Sequence, residues 1–510
     1  MANPPWRRLL MTTLVLALVG AMGCHESIEA PDNADVGTWF DDDEGTEDDA
    51  DVFACGSDTA VIEDEEVRAP TVDPTEFEVT LGDTHRFDVS CGEPGATVAS
   101  YALAHWEVDG QREPVLIAAL EHFGGGTFEP TYAGVAVMRV KTGELLHCRP
   151  DEGITLAVTG RVIASSNPPK YWVTLMPAVI DDTSWLPGEA GPAVVLSGGP
   201  DDAQTFREVL PANEGVSHRS QILTRGGQLI TFFSERQVFV SLDALTGALN
   251  WTRSLSSVLG TDDPRGSASF TGSRETGGVD VTVYAGSGTY SLTLDRCGER
   301  VDSVQRSAEV AVMFRSEDIV VTSSQFGSNS PRVTTGWRPD GSMAFRTEGC
   351  QDVVVLAAHQ VGCFVYGDRG ITGIRTFDLR GDPVTIQDFE LDVEGFADTS
   401  AVVTFRDLVA SPDVLLVSAT VSHQEGDSYY SVVHIGLWNP RRGELVEVLQ
   451  LRDRSLNVAP LLTAEGLLVI PDGEHVHVVE TNLEGLGAAP SPRLGWGGNE
   501  NRHLVVEEGG

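Results

Sequence analysis

A chain of 510 residues, 41% hydrophobic and holding 54 glycines, has the composition of a folded, turn-rich protein and not of a disordered one. Its length admits one large all-β unit as readily as several domains. With 76 acidic against 34 basic residues and a formal charge of −42, it lacks the basic footprint that nucleic acid requires, and charge would not hold it on anionic lipid. Only Lys141 and Lys170 are lysines, which removes most options for lysine chemistry.

Arg7 and Arg8 precede an almost wholly apolar run from Leu9 to Gly23, the charged-then-apolar start of a secretion signal. At about 15 residues the run falls short of the roughly 20 that a membrane-spanning helix needs. It ends in Ala21-Met22-Gly23-Cys24. This ending resembles the lipobox of bacterial lipoproteins, with Ala21 where that family usually places Leu. The resemblance implies removal of residues 1–23 as a signal peptide and a lipid anchor on Cys24. Because His25 and not Asp follows, it also implies sorting to the outer membrane of the cell envelope.

Residues 24–75 are polar and acidic, with Asp41-Asp42-Asp43-Glu44 and Glu47-Asp48-Asp49 at their centre. Like charges at this density repel, so the segment is expected to be a disordered spacer. Its carboxylates do not follow the order of a calcium loop.

From Glu76 short β-branched runs take over, divided by Gly, Pro, Asp and Asn. Phe77-Glu78-Val79-Thr80-Leu81, Gln237-Val238-Phe239-Val240-Ser241-Leu242 and His475-Val476-His477-Val478 alternate as strands do. The region 76–510 is therefore predicted to be all-β, with 76–200 open to being a separate β-sandwich. Beyond Cys24 the cysteines are Cys55, Cys91, Cys148, Cys297, Cys350 and Cys363. In an exported chain these are expected to form disulfides, and the close pairs Cys350/Cys363 and Cys55/Cys91 are the first candidates.

A strand, a polar residue, a glycine turn and a second strand recur along this region. The turn glycines are Gly143, Gly247, Gly298, Gly341, Gly381, Gly443 and Gly485, and from Gly247 onward they stand 51, 43, 40, 62 and 42 residues apart. A period of roughly 40–50 residues suits a propeller blade of about four strands. The unit from Val238 to Trp251 resembles the PQQ-like (quinoprotein-type) propeller repeat. The resemblance implies a β-propeller of seven or eight four-stranded blades. It assigns Asp243, Thr246 and Gly247 to a blade turn and Trp251 to packing between blades.

The same family contains dehydrogenases, but their adjacent cysteine pair is missing and their ligand set cannot be placed on this chain, so no cofactor is expected. G-x-S-x-G, a Walker A loop and H-E-x-x-H are all absent. Gly124-Gly125-Gly126, without a nucleophile elbow, reads as a turn. His475 and His477 share one face of a strand near Asp472 and Glu474, a weak candidate for metal with no third ligand identifiable. Trp106, Trp172 and Trp438 read as core or blade packing. The function expected is that of a non-catalytic, lipid-anchored scaffold for another envelope protein. A divergent quinoprotein-like or hydrolytic enzyme using the propeller funnel is the alternative.

Overall fold

The computed structural model describes residues 79–485 apart from a series of breaks, the longest at 178–191 and 391–403. The segment 1–23 read as a signal peptide, Cys24, Cys55, the acidic segment and Gly124 to Gly126 lie outside the described residues. The described chain is all-β, with one short α-helix, Leu255–Leu259, capped by the Ser254 hydroxyl and by Gly260.

The strands form eight antiparallel sheets among the described residues, taken up in chain order. The first seven span 96–150, 156–212, 220–254, 266–306, 310–348, 350–390 and 404–452. The second carries an extra strand, Ile163–Ser166, paired with Pro169–Pro177. The eighth takes three strands from 461–481 and its fourth from the other end of the body: Leu81–Asp88 pairs with His475–Thr481, Leu81 opposite Thr481 and Phe87 opposite Val476. Sequential four-stranded meanders, the last completed by the first strand of the described residues, are the architecture of a β-propeller.

The burial pattern follows from this stacking. A middle strand has a neighbouring sheet over each face, so Gln228–Phe233, Gly288–Leu294 and Leu467–Asp472 are buried at every position. A fourth strand lies at a sheet edge and shows mixed burial instead, as Met343–Glu348 does.

Apolar clusters join successive sheets. One joins the first and second through Trp106, Ile117 and Tyr171. Another joins the third and fourth through Phe232, Phe239, Trp251 and Phe270. Phe345 and Phe377 stack across the fifth and sixth at 4.2 Å between ring centroids. The seventh meets the eighth through Ile435, Leu437, Leu468 and Ile470, and the eighth meets the first through Leu103, Leu116, Val469 and Val476.

Two disulfides join described residues. Cys350 and Cys363 are bonded, as their spacing suggested. Cys91 is bonded to Cys148 and not to Cys55, which corrects the pairing expected from sequence. The reason is topological. Cys91 follows the closing strand, and antiparallel folding of the first sheet carries Cys148, on the fourth strand of that sheet, back to within 5.6 Å Cα to Cα. The bond pins the closing segment to the first sheet across a sequence separation of 57 residues. Cys148→Ser is expected to cost about 2–4 kcal/mol of stability through the freed loop entropy. Urea denaturation without reductant, compared with the parent chain, checks this value.

Candidate functional site

The turn read from sequence is built by one carboxylate. Asp243 Oδ1 accepts from the Leu245 and Thr246 N–H groups at 3.0 and 2.7 Å and from the Thr246 hydroxyl at 2.8 Å. The Gly247 N–H returns to the Asp243 carbonyl at 2.8 Å, with Gly247 at φ 76. At the next turn Asp295 plays the same part, accepting from Cys297 and Glu299 at 2.8 and 2.9 Å. The pairing of third and fourth strands shifts register beside these turns, at Ser241/Leu242 and Thr293/Leu294, and likewise at Val137/Met138 and Gly336/Trp337. A left-handed glycine followed by a bulge accounts for both features.

Trp251 leaves its own sheet for the next. Its indole N–H donates to the Arg296 carbonyl at 2.9 Å, and its ring lies on Gly298, where a Cβ would stand 2.8 Å from Trp251 Cε3. Trp172 docks the second sheet on the third in the same way, donating to the Ala244 carbonyl at 2.7 Å. Ala244 and Arg296 each follow the aspartate of a turn. Trp106 donates to the Ser165 carbonyl of the second sheet at 3.0 Å. At the closing seam Phe87 takes the place of the tryptophan: a Cβ on Gly143 would overlap its ring. Lys170 reaches the Leu245 carbonyl at 3.0 Å. Burial pulls its pKa below the ordinary lysine value, with the Asp243 charge opposing.

The two histidines considered for metal have different partners. His475 Nδ1 lies 3.1 Å from Arg86 Nη2, and His477 Nε2 lies 3.4 Å from Asp472 Oδ2. The Ser90 backbone N–H, with its hydroxyl, holds the nearby Asp88 carboxyl below its ordinary range against burial, and His475 adds to this. Among the described residues no group of three or more His, Cys, Asp or Glu side chains is placed to hold a metal ion. Sequence reasoning missed a further contact. His105 Nε2 meets Glu465 Oε1 at 2.8 Å across a separation of 360 residues.

It also missed a row of exposed apolar side chains. Leu81, Leu145, Leu249, Val301, Met343 and Ile386 are 38–67% exposed. Each belongs to the edge strand in the fourth position of its sheet, at the end where third and fourth strands meet. Leu145 is opposite Met138, Leu249 opposite Leu242, Met343 opposite Trp337, Ile386 opposite Phe377 and Leu81 opposite Thr481. Val301 follows Arg300, the partner of Leu294. A sequence signal existed for three of them. Leu145, Leu249 and Met343 each stand two residues after a turn glycine.

No protein-family model and no curated protein matches the chain. Among solved structures it is similar to the dihydro-heme d1 dehydrogenase NirN in complex with DHE, with 12% identity, TM-score 0.40 and 66% of each chain covered. It is similar to the C-terminal WD40 domain of Sif2, with 10% identity, TM-score 0.44, and 78% of this chain and 97% of that one covered. A third likeness is to the β-propeller domain of the Trilobed protease from Pyrococcus furiosus, with 9% identity, TM-score 0.36, and 60% of this chain and 86% of that one covered. At these values the likenesses carry no argument about activity.

Docking of a ring on a glycine predicts a steep cost for one added methyl group. Gly298→Ala is expected to lose about 2–4 kcal/mol, from left-handed strain and from overlap with Trp251 together. Gly110→Ala, at φ 74 with nothing within 4 Å of the added Cβ, should lose only the strain, about 1–2 kcal/mol. Equal losses in denaturant titrations of the two variants would refute ring docking as the cause.

Proposed function

We propose that this chain is a non-catalytic scaffold of the bacterial envelope. In this reading it is an eight-bladed propeller of the PQQ-like kind, anchored by lipid on Cys24 in the outer membrane. The acidic segment 24–75 holds it off the bilayer, and it binds another envelope protein. The observation that carries the reading is the row of exposed aliphatic side chains at one repeated blade position. Apolar surface left in water at equivalent places is what a protein partner would cover. The eight sheets in chain order, each packed on the next, support eight blades over seven.

The test is capture from detergent-solubilised envelope by the lipidated protein. One envelope protein is expected in stoichiometric amount. The double variant Leu249→Glu, Met343→Glu is expected to retain it at least about tenfold less well, with an unchanged thermal midpoint. Capture that ignores the double variant, or a chromophore travelling with the purified chain, would refute the scaffold reading.

A further inference from the structure

The seam between the first and eighth sheets brings together the two ends of the body, and three contacts run down it. The Val98 N–H donates to the Gly473 carbonyl at 3.0 Å. The Tyr101 hydroxyl donates to the Val469 carbonyl at 3.3 Å. His105 then meets Glu465 at 2.8 Å, with the two side chains 8% and 12% exposed. The first two contacts are uncharged, and the third is ionisable.

The backbone N–H of each member of the pair is held by a neighbouring hydroxyl. The Glu465 N–H donates to the Thr463 hydroxyl at 3.2 Å, and the His105 N–H donates to the Ser166 hydroxyl at 2.9 Å. On the strand paired with that of His105, Glu113 is with Arg139 and Arg112 is exposed. Asp472 is with His477, His475 is with Arg86 and beside Asp88, and Glu107 is exposed. The seams on the far side of the first sheet are fastened differently, by the indoles of Trp106, Trp172 and Trp251 and by the Gln237 amide on Gly266. None of those groups titrates, and acid does not discharge the Lys170 ammonium that also crosses from the second sheet to the Leu245 carbonyl of the third. Arg253 and Glu299 also meet between the third and fourth sheets, but Glu299 is 65% exposed and well screened.

We propose that the His105–Glu465 contact is a pH-sensitive latch on the closing seam. Protonation of Glu465 releases it, while the strand pair and the Cys91–Cys148 bond keep the two ends tethered. Burial alone would raise the carboxyl's pKa. The hydrogen bond and charge of His105, with help from Thr463 and the turn backbone, outweigh it and bring the carboxyl below its ordinary value of 4.5. A carboxyl whose pKa is lower folded than unfolded stabilises the fold above the unfolded value, and that contribution is lost as pH falls through the folded one. The seam is therefore shut at neutral pH and loosens in acid, below about pH 4.5.

Hydrogen–deuterium exchange of the full, disulfide-intact chain between pH 7 and 3.5, corrected for intrinsic rates, tests this. Protection of 96–108 and 461–472 relative to the third-sheet strands 228–243 is expected to fall about tenfold on acidification. In Glu465→Gln the ratio should start lower and no longer respond to acid, whereas in His105→Gln, where burial raises the carboxyl's pKa unopposed, it should start lower and no longer fall on acidification. A constant ratio in the parent chain, or the parent's acid response surviving in Glu465→Gln, overturns the proposal. If neither variant folds, titration of Glu465 in the parent by carboxyl carbon resonance decides: a midpoint at or above the ordinary value refutes the latch, and one below it supports it.

Discussion

A four-stranded sheet with apolar residues on both faces has no stable existence alone, so everything in this fold depends on how one sheet docks on the next. The recurring device is an aromatic ring laid on the turn glycine of the following sheet, as Trp251 lies on Gly298 and Phe87 on Gly143. The glycine serves two ends. Its left-handed backbone closes the turn, and its missing side chain is the socket for the ring. Where an indole fills the socket, its N–H also satisfies a turn carbonyl that burial would otherwise leave costly.

The closing seam obeys the same rule with one substitution and two additions. Phenylalanine has no N–H to give, so Phe87 contributes packing without the hydrogen bond. The seam is also the place where chain connectivity gives no help, because its partners come from opposite ends of the body. A disulfide beside the closing strand and an ionisable contact further along reinforce it. The covalent fastener confines the unfolded chain, whereas the ionic one acts only while its carboxyl stays charged. One seam thus carries both a permanent and a conditional fastening.

The sequence made the all-β class and the turn unit from Val238 to Trp251 readable because both are local. Asp243, Thr246 and Gly247 act within a few residues of one another, and the alternating runs record burial directly. Docking was legible only where the tryptophan stood at a fixed distance from its glycine. Trp172 and Trp106 do related work from the second and first strands of their sheets, where no spacing rule marks them. The Cys91 pairing and the His105–Glu465 contact were out of reach for a different reason. Each depends on which strands the meander brings side by side, and nearness in sequence pointed to Cys55.

The strong negative charge of the chain sets the conditional fastening against its surroundings. Residues 81–510 alone carry 56 acidic against 31 basic side chains, and at neutral pH this excess repels itself and works against the compact state. Mild acid relieves that repulsion everywhere on the surface, which favours folding. The same acid removes charge from a mostly buried carboxylate whose ionised form is the one its partner binds. The two effects have opposite signs and different places, one spread over the exterior and one confined to the seam. A chain built this way can gain stability as a whole while its closing contact weakens, so loosening there does not require the body to approach unfolding.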